Sequence, residues 1–95
     1  PEIKIPQKIH QIWIGSEPPT ELLELSAKLK RHHPNFEYRL WRDSDLAEFG
    51  LDTHPMFLAA PNWGEKADIF RYCILYKYGG VYCDMDILCL KSIEP

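Results

Sequence analysis

Several features are missing from this sequence of 95 residues, and each absence excludes a class of protein. No apolar run approaches the length of about 18 residues that a membrane-spanning helix requires, so we expect no transmembrane segment. No secretory signal peptide is visible, and the chain starts at Pro1 without methionine, which indicates a processed chain or an excerpt of a longer one. No internal repeat or low-complexity segment occurs. The length predicts a single domain over residues 1–95.

Cysteine is also scarce. The three cysteines (Cys73, Cys83 and Cys89) leave one over in any disulfide scheme, and none forms a C-x-x-C pair. Reduced thiols are the simpler interpretation, which predicts a cytoplasmic location. The net charge is −3, and the basic stretch 28–33 falls at a predicted helix C-terminus, where cations complement the helix dipole. We therefore expect no nucleic-acid partner.

The hydrophobic pattern predicts an α/β fold with a mainly parallel sheet and flanking helices. Four β-rich runs indicate strands, namely Ile9–Ile14, Phe36–Trp41, Val81–Cys83 and Ile87–Leu90. Three helices are expected, from Thr20 (the N-cap) to about Arg31, from Asp43 or Ser44 to about Phe49, and from Glu65 to Tyr78. The stretch 50–64 has little periodicity apart from a turn near residues 56–58. Because strands alternate with helices, we expect parallel pairing.

Two aspartates follow the third predicted strand. Gly79 and Gly80 end the long helix, and the strand then leads into Asp84-Met85-Asp86. In an extended segment residues i and i+2 point to the same side, so both carboxylates can face one ligand. Mg²⁺ and Mn²⁺ take oxygen ligands and commonly bind through one or two carboxylates plus substrate phosphates. Alone, such a pair is a weak signal, because it also occurs on many solvated turns.

The helix before this acidic pair has two distinct faces. Its apolar residues form a predicted buried stripe, consisting of Ala67, Phe70, Ile74 and Tyr78. Asp68 and Arg71 lie on another face, and their spacing alone favours an ordinary i,i+3 ion pair. A helix that feeds a strand with polar residues at its carboxyl end is, however, the usual place for a site in open α/β sheets.

The run from Ala67 to Asp86 (ADIFRY, then LYKYGGVYCDMD) resembles the signature of the DXD-motif sugar-binding glycosyltransferases. This family includes yeast-type α-1,6-mannosyltransferases and bacterial capsular and lipopolysaccharide sugar transferases, and it is similar to the catalytic core of the large clostridial glucosylating toxins. The blocks Ile5–Gly15 and Pro34–Trp41 resemble the family's first two strands. The resemblance implies a Rossmann-like GT-A fold, of which this chain is the N-terminal nucleotide-sugar-binding half, truncated after the DXD strand.

The resemblance also implies a catalytic and metal-binding set. Asp86 would be the direct Mn²⁺ or Mg²⁺ ligand, and Asp84 would contact the ribose, the sugar or the metal shell. Arg71 would approach the sugar or the diphosphate, where its guanidinium suits anionic oxygens.

Three more residues are implied to bind the nucleotide-sugar. Trp13 would stack on the base, Asp68 would hydrogen-bond ribose or sugar hydroxyls, and Tyr82 would line the donor pocket. From the alternating apolar run alone, Trp13 is more often a core residue than a base platform, and the resemblance reverses that preference. His10 is interpreted as a structural strand histidine, because no second histidine or cysteine stands at metal-ligand spacing from it.

The function that the resemblance implies is a metal-dependent glycosyltransferase, or its donor-binding half. It would bind a UDP- or GDP-sugar and transfer the sugar to a hydroxyl of a glycan or another acceptor, as in polysaccharide biosynthesis. The first alternative is a non-catalytic nucleotide-sugar or metal-binding module that self-associates through exposed sheet edges. The second, a phosphohydrolase that uses the acidic pair, lacks the downstream lysine and acidic motifs.

Overall fold

The computed structural model describes residues 5–86, which form an α/β unit. Its strands are β1 (Lys8–Ile12), β2 (Glu37–Trp41) and β3 (Val81–Tyr82), and its α-helices are α1 (Thr20–His32), α2 (Pro55–Ala59) and α3 (Trp63–Tyr78). Two 3₁₀ helices, Asp43–Phe49 and Leu51–Thr53, lie between β2 and α2. The predicted strand Ile87–Leu90 lies outside the described residues.

The three strands form a parallel sheet in the order β2-β1-β3, which confirms the predicted fold class. Ile9 in the central strand is level with Tyr38 of β2 on one side and with Val81 of β3 on the other. Because all strands run in the same direction, the chain leaves each of them at the same edge of the sheet. Polar residues that follow β1 and β3 are therefore brought to one place.

Helix α1 covers one face of the sheet. Ile9 of β1 packs in a buried cluster with Leu29 of α1, and the buried Gln11 bonds to Ser26 on the same helix. Ser26 and Leu29 are the buried residues of α1, whereas Leu22 and Leu25 are only partly buried. Both buried residues lie in the second half of α1, so this half of the helix packs most closely against the sheet.

Helix α3 covers the opposite face and confirms the predicted stripe. Phe70 and Ile74 are 0% and 1% exposed and pack with Ile12 of β1 and Trp41 of β2. Ala67 and Tyr78 pack at the margin of the same cluster. Since both faces of β1 are covered, every residue from Ile9 to Ile12 is buried, including the polar His10 and Gln11.

The boundaries of the helices differ from the sequence prediction in physically clear ways. Thr20 is the first residue of α1 rather than its cap, because Pro19 occupies the capping position without a side-chain bond. Helix α3 begins at Trp63 instead of Glu65, since the Asn62 side chain accepts a bond from the Glu65 N–H at 2.8 Å. The segment predicted as a short helix, Asp43–Phe49, is 3₁₀ rather than α-helical.

Within residues 5–86 every helix is too short or too polar to cross a bilayer.

Candidate functional site

A cleft of about 680 Å³ opens where the chain leaves the sheet, and we call it the carboxyl-edge cleft. Its walls come from the end of β1, the start of α3 and the segment after β3, and they consist of Ile12, Trp13, Ile14, Gly15, Ser16, Leu22, Trp63, Gly64, Ala67, Tyr82, Asp84, Met85 and Asp86. Of the residues that the sequence singled out, the structure brings Trp13, Tyr82 and the acidic pair together here. Asp68 and Arg71 do not line the cleft.

The acidic pair reaches the cleft through a turn. Asp84 and Asp86 are both exposed, and Met85 between them is buried at 5% exposure. Strand β3 ends at Tyr82, and Met85-Asp86 form a turn, so the segment is not extended throughout as the i,i+2 argument required. Both aspartates nonetheless line the same cleft, because the buried Met85 turns its two neighbours outward.

The pair fits a hard divalent cation whose remaining ligands are phosphate oxygens and water. Over residues 5–86, no group of three or more histidine, cysteine, aspartate or glutamate side chains is arranged to hold a metal. Asp84 and Asp86 alone supply only part of a coordination shell. Mg²⁺ and Mn²⁺ are commonly held in this way, by one or two carboxylates together with water and phosphate oxygens. The same donor set does not fit an all-protein cage such as a structural zinc site.

Trp13 forms part of the wall rather than the core. Its indole is half-buried, and its Nε1–H donates to Ser16 Oγ at 3.2 Å. Its backbone N–H donates to the Trp41 carbonyl at 3.0 Å, which continues the tie between β1 and β2 beyond the strand ends. The core tryptophan of this protein is Trp41, at 1% exposure. A ring that lines an open cleft is available for stacking; the base contact itself stays a prediction.

The loop after Trp13 is fastened by two residues that sequence reasoning did not single out. Arg42 donates from Nε to the Trp13 carbonyl at 2.7 Å and from Nη2 to the Ser16 carbonyl at 2.8 Å. The Asp43 carboxylate accepts from the Gly15 N–H at 3.0 Å. Both residues follow β2 directly, so the end of one strand stabilises the loop that leaves its neighbour. No local sequence signal could indicate this pairing, because the partners are more than 25 residues apart.

Trp63 is a third aromatic residue of the cleft wall, and the sequence analysis did not single it out. It is the first residue of α3 and is 52% exposed. Its indole packs on Gly15, where an added Cβ would lie 2.7 Å from the ring carbons Cδ2 and Cε2. The spacing of Asn62 and Glu65 is typical of a helix start and would have placed Trp63 at an open N-terminus.

Asp68 and Arg71 form the ion pair that their spacing favoured. The Arg71 guanidinium lies 3.6 Å from the Asp68 carboxylate, and the two side chains are 31% and 59% exposed. The guanidinium also lies 5.5 Å from the centroid of the Tyr82 ring, which faces the cleft. Arg71 therefore borders the cleft behind Tyr82 instead of lining it.

Tyr82 is a neutral phenol under ordinary conditions. Burial raises its pKa to about 12, and the nearby Asp84 carboxylate adds to the rise, while Arg71 opposes it. A phenol with this pKa keeps its proton at neutral pH and can both donate and accept a hydrogen bond. It adds no negative charge beside the acidic pair.

His10 is structural, in agreement with the interpretation from its spacing. Trp41 donates from Nε1 to His10 Nδ1 at 3.0 Å, so His10 Nε2 carries the proton that is donated to the Gly79 carbonyl at 2.8 Å. Burial is the main cause that lowers the pKa of His10, which favours this neutral form. Its two ring nitrogens join β1 to β2 and to the turn before β3, and neither is available as a ligand.

Residues 19–95 match the family described as "Glycosyltransferase sugar-binding region containing DXD motif". The chain is 40% identical to inositol phosphoceramide mannosyltransferase 3 of Schizosaccharomyces pombe over 96% of its own length and 27% of that protein. It is 38% identical to mannosyl phosphorylinositol ceramide synthase SUR1 of Saccharomyces cerevisiae, over 96% of the chain and 25% of that protein.

A more distant bacterial relative is the Subversion of eukaryotic traffic protein A of Legionella pneumophila, at 29% identity over 93% of the chain and 18% of that protein. No solved structure shows a significant match. The chain thus spans about a quarter of the length of the fungal relatives named above.

The fungal relatives contradict the cytoplasmic location that the cysteine count predicted. Their names specify inositol phosphoceramide or mannosyl phosphorylinositol ceramide, and ceramides are membrane lipids. The prediction of a cytoplasmic location is therefore wrong. The physical reason is that an odd number of cysteines constrains disulfide pairing but does not report the redox compartment.

Proposed function

The chain belongs to the family of glycosyltransferases whose sugar-binding region contains a DXD motif, and from this we propose that it binds a nucleotide-diphosphate sugar in the carboxyl-edge cleft. The observation that carries the proposal is the meeting of Trp13, Asp84 and Asp86 in that cleft. An aromatic ring and two carboxylates match two parts of such a donor, its base and the diphosphate that would bind the metal. For the whole protein, the proposed activity is transfer of the sugar from this donor to an acceptor hydroxyl.

The base of the donor would stack on Trp13. Stacking of a base on an aromatic side chain contributes about 1–3 kcal/mol and tolerates different bases, because every base has a π face. The bond from the Trp13 indole to Ser16 and the bonds from Arg42 to this loop hold the ring in place before the ligand arrives. Less ordering is then needed on binding, which favours affinity.

The acidic pair would hold the cation and the sugar end of the donor. Asp86 would ligate Mn²⁺ or Mg²⁺, and Asp84 would share the cation or accept from a hydroxyl of the ribose or sugar. When bound, the cation neutralises charge that develops on the diphosphate leaving group. The neutral Tyr82 phenol, beside Asp84, can donate a hydrogen bond to an oxygen of the nucleotide-sugar without adding charge repulsion.

Arg71 and Asp68 would act from the margin of the cleft. Their ion pair is partly exposed and long, at 3.6 Å, and exposed pairs contribute only about 0–1 kcal/mol, so Arg71 can leave Asp68 at little cost. The guanidinium would then approach the diphosphate past the Tyr82 ring, on which it already lies. Asp68, once released, could accept hydrogen bonds from the ribose or sugar hydroxyls of the nucleotide-sugar.

The named activities of the fungal relatives suggest which sugar and acceptor to test. They are mannosyltransferases of inositol phosphoceramide or synthases of mannosyl phosphorylinositol ceramide. We therefore propose a mannosyl donor and an inositol phospholipid acceptor for the whole protein, with a GDP- or UDP-linked sugar bound in this cleft.

The test is calorimetric titration with GDP-mannose, UDP-glucose, UDP-galactose and UDP-N-acetylglucosamine, each with Mn²⁺ and with EDTA. Asp86→Asn removes one ligand charge, and Asp52→Asn is the matched control, because Asp52 is an exposed aspartate that does not line the cleft. We expect manganese-dependent binding that Asp86→Asn abolishes and Asp52→Asn keeps. Binding that is equal in EDTA, or that survives Asp86→Asn, would contradict the proposal.

A further inference from the structure

A buried glutamine side chain joins the acidic pair to the rest of the fold. Gln11 in β1 is 0% exposed, and its Oε1 accepts from Ser26 Oγ and from the Tyr38 hydroxyl, both at 2.7 Å. Its Nε2 donates to the backbone carbonyl of Asp84 at 3.0 Å. The opposite amide orientation would bring the Gln11 oxygen against the Asp84 carbonyl oxygen, so the contacts determine which way the amide points.

The bond to Asp84 lies where the sheet stops supporting the chain. The parallel pairing between β1 and β3 extends to Cys83, whose N–H donates to the His10 carbonyl at 3.0 Å. Gln11, the next residue in β1, extends this tie by one more residue through its side chain. The backbone of Asp84 is thus held from inside the protein while its carboxylate lies exposed in the cleft.

The same cluster also contacts the residue between the two aspartates. Met85 is 5% exposed, and its Sδ lies 3.7 Å from Ser26 Oγ, which bonds to Gln11. Two successive residues of the acidic segment are therefore attached to one buried group of side chains. Residues 84–86 depend on this group for their position, because the turn at 85–86 lies beyond the end of β3.

We infer that Gln11 is the positioning residue for the acidic pair, an inference that rests on the proposed function of that pair as a cation site. Gln11 does not line the carboxyl-edge cleft; it acts by holding the Asp84 carbonyl. Loss of its N–H donor would leave that carbonyl without its buried partner and let the two carboxylates move apart. Loss of a residue that orients metal ligands typically weakens metal affinity by about 10- to 100-fold.

The main variant is Gln11→Met, which keeps the length of the side chain but cannot bond to Asp84. Tyr38→Phe is the matched control, because it removes a buried hydrogen bond from the same amide and leaves the bond to Asp84. Mn²⁺ affinity is measured by electron paramagnetic resonance without any donor. Backbone order parameters of residues 84–86 are measured by NMR in EDTA, which gives a readout that needs no metal.

In Gln11→Met we expect Mn²⁺ affinity to fall about 10- to 100-fold, and the order parameters of residues 84–86 to fall from near 0.85 toward 0.6 or below. Tyr38→Phe should change neither, although both variants should unfold at lower temperature. If Gln11→Met does not fold, Gln11→Glu takes its place, because a carboxylate keeps the acceptor for Ser26 and Tyr38 but has no N–H to donate to the Asp84 carbonyl.

Unchanged order parameters in Gln11→Met would overturn the inference, as would an equal loss of Mn²⁺ affinity in Tyr38→Phe. In Gln11→Glu, residues 84–86 that remain as ordered as in the parent would overturn it too. Failure of the proposed function looks different. If the parent protein binds Mn²⁺ neither alone nor together with the nucleotide-sugars of the donor titration, while Gln11→Met still loosens residues 84–86, the cation site is refuted and the positioning role is upheld.

Discussion

Replacement of Gly15 by alanine should damage the carboxyl-edge cleft through Trp63. Gly15 has a φ of +92°, a conformation that residues with a Cβ rarely adopt, and an added Cβ would lie 2.7 Å from two indole carbons. Non-bonded carbon atoms normally stay about 3.5–4.0 Å apart. The indole must therefore retreat by about 1 Å. Because Trp63 is 52% exposed, it can do so, but the wall of the cleft moves with it.

The expected loss of stability comes mainly from the backbone. A residue held in a sparsely populated conformation costs about 1–3 kcal/mol. For a domain of this size, each kcal/mol lowers the melting temperature by about 4–8 °C. Displacement of the exposed indole adds little to this free energy, so its effect should be seen in donor affinity rather than in unfolding.

Gly50 provides the matched control. Its φ is +69°, and no atom lies within 4 Å of a Cβ added there, so Gly50→Ala introduces similar strain without any contact. We expect thermal unfolding, followed by circular dichroism, to show lower stability in both variants. Donor titration should show weaker binding only in Gly15→Ala. The double variant Gly15→Ala/Trp63→Ala removes the overlap and tests whether the indole carries the effect.

Equal donor affinity in Gly15→Ala and Gly50→Ala would refute the reasoning, since it would mean that Trp63 is no wall of the donor site. A Gly15→Ala variant as stable as the parent would contradict the positive φ at that residue.

Three further predictions concern the site and the fold around it. Trp13→Ala should weaken the binding of the free nucleotide and of the nucleotide-sugar alike, by about 1–3 kcal/mol as measured by calorimetry. Loss of folding in this variant would instead favour a core role for Trp13. Trp41→Phe should lower the free energy of unfolding in urea by at least about 1–3 kcal/mol, because it leaves His10 Nδ1 without its buried donor; an unchanged value would contradict the bond. Because burial raises the pKa of Tyr82 to about 12, the unfolded chain loses this proton first, so stability should fall as pH rises above 10. Tyr82→Phe should reduce that fall, although Tyr38, whose pKa burial also raises, will retain part of it.

The pH dependence on the acid side has the opposite sign. Burial lowers the pKa of His10 below its ordinary value of 6.5, so the unfolded chain binds the proton more readily than the folded protein. The neutral histidine therefore contributes its full stabilisation above pH 6.5, and this contribution declines as pH falls below that value. Urea unfolding at several pH values checks this, and a His10→Gln variant with the same slope would assign the decline to other groups.

Local periodicity was sufficient to predict the framework. The alternation of strands and helices predicted the parallel α/β sheet, and the apolar spacing in α3 predicted its buried face at Phe70 and Ile74. The acidic pair after β3 also followed from the sequence, because parallel strands deliver such residues to one edge of the sheet. These features depend on neighbours a few residues apart. The boundaries of the helices were less accurate, as the start of α3 at Trp63 shows.

What only the tertiary structure decided is which side chains meet across the chain. Composition could not distinguish the buried Trp41 from Trp13 and Trp63, which line the cleft. The bond from Gln11 to the Asp84 carbonyl joins residues 73 positions apart, and no pattern within a strand or helix encodes such a contact. Periodicity reports which face of an element is apolar, whereas a site is made where different elements end, and that depends on how they pack in three dimensions.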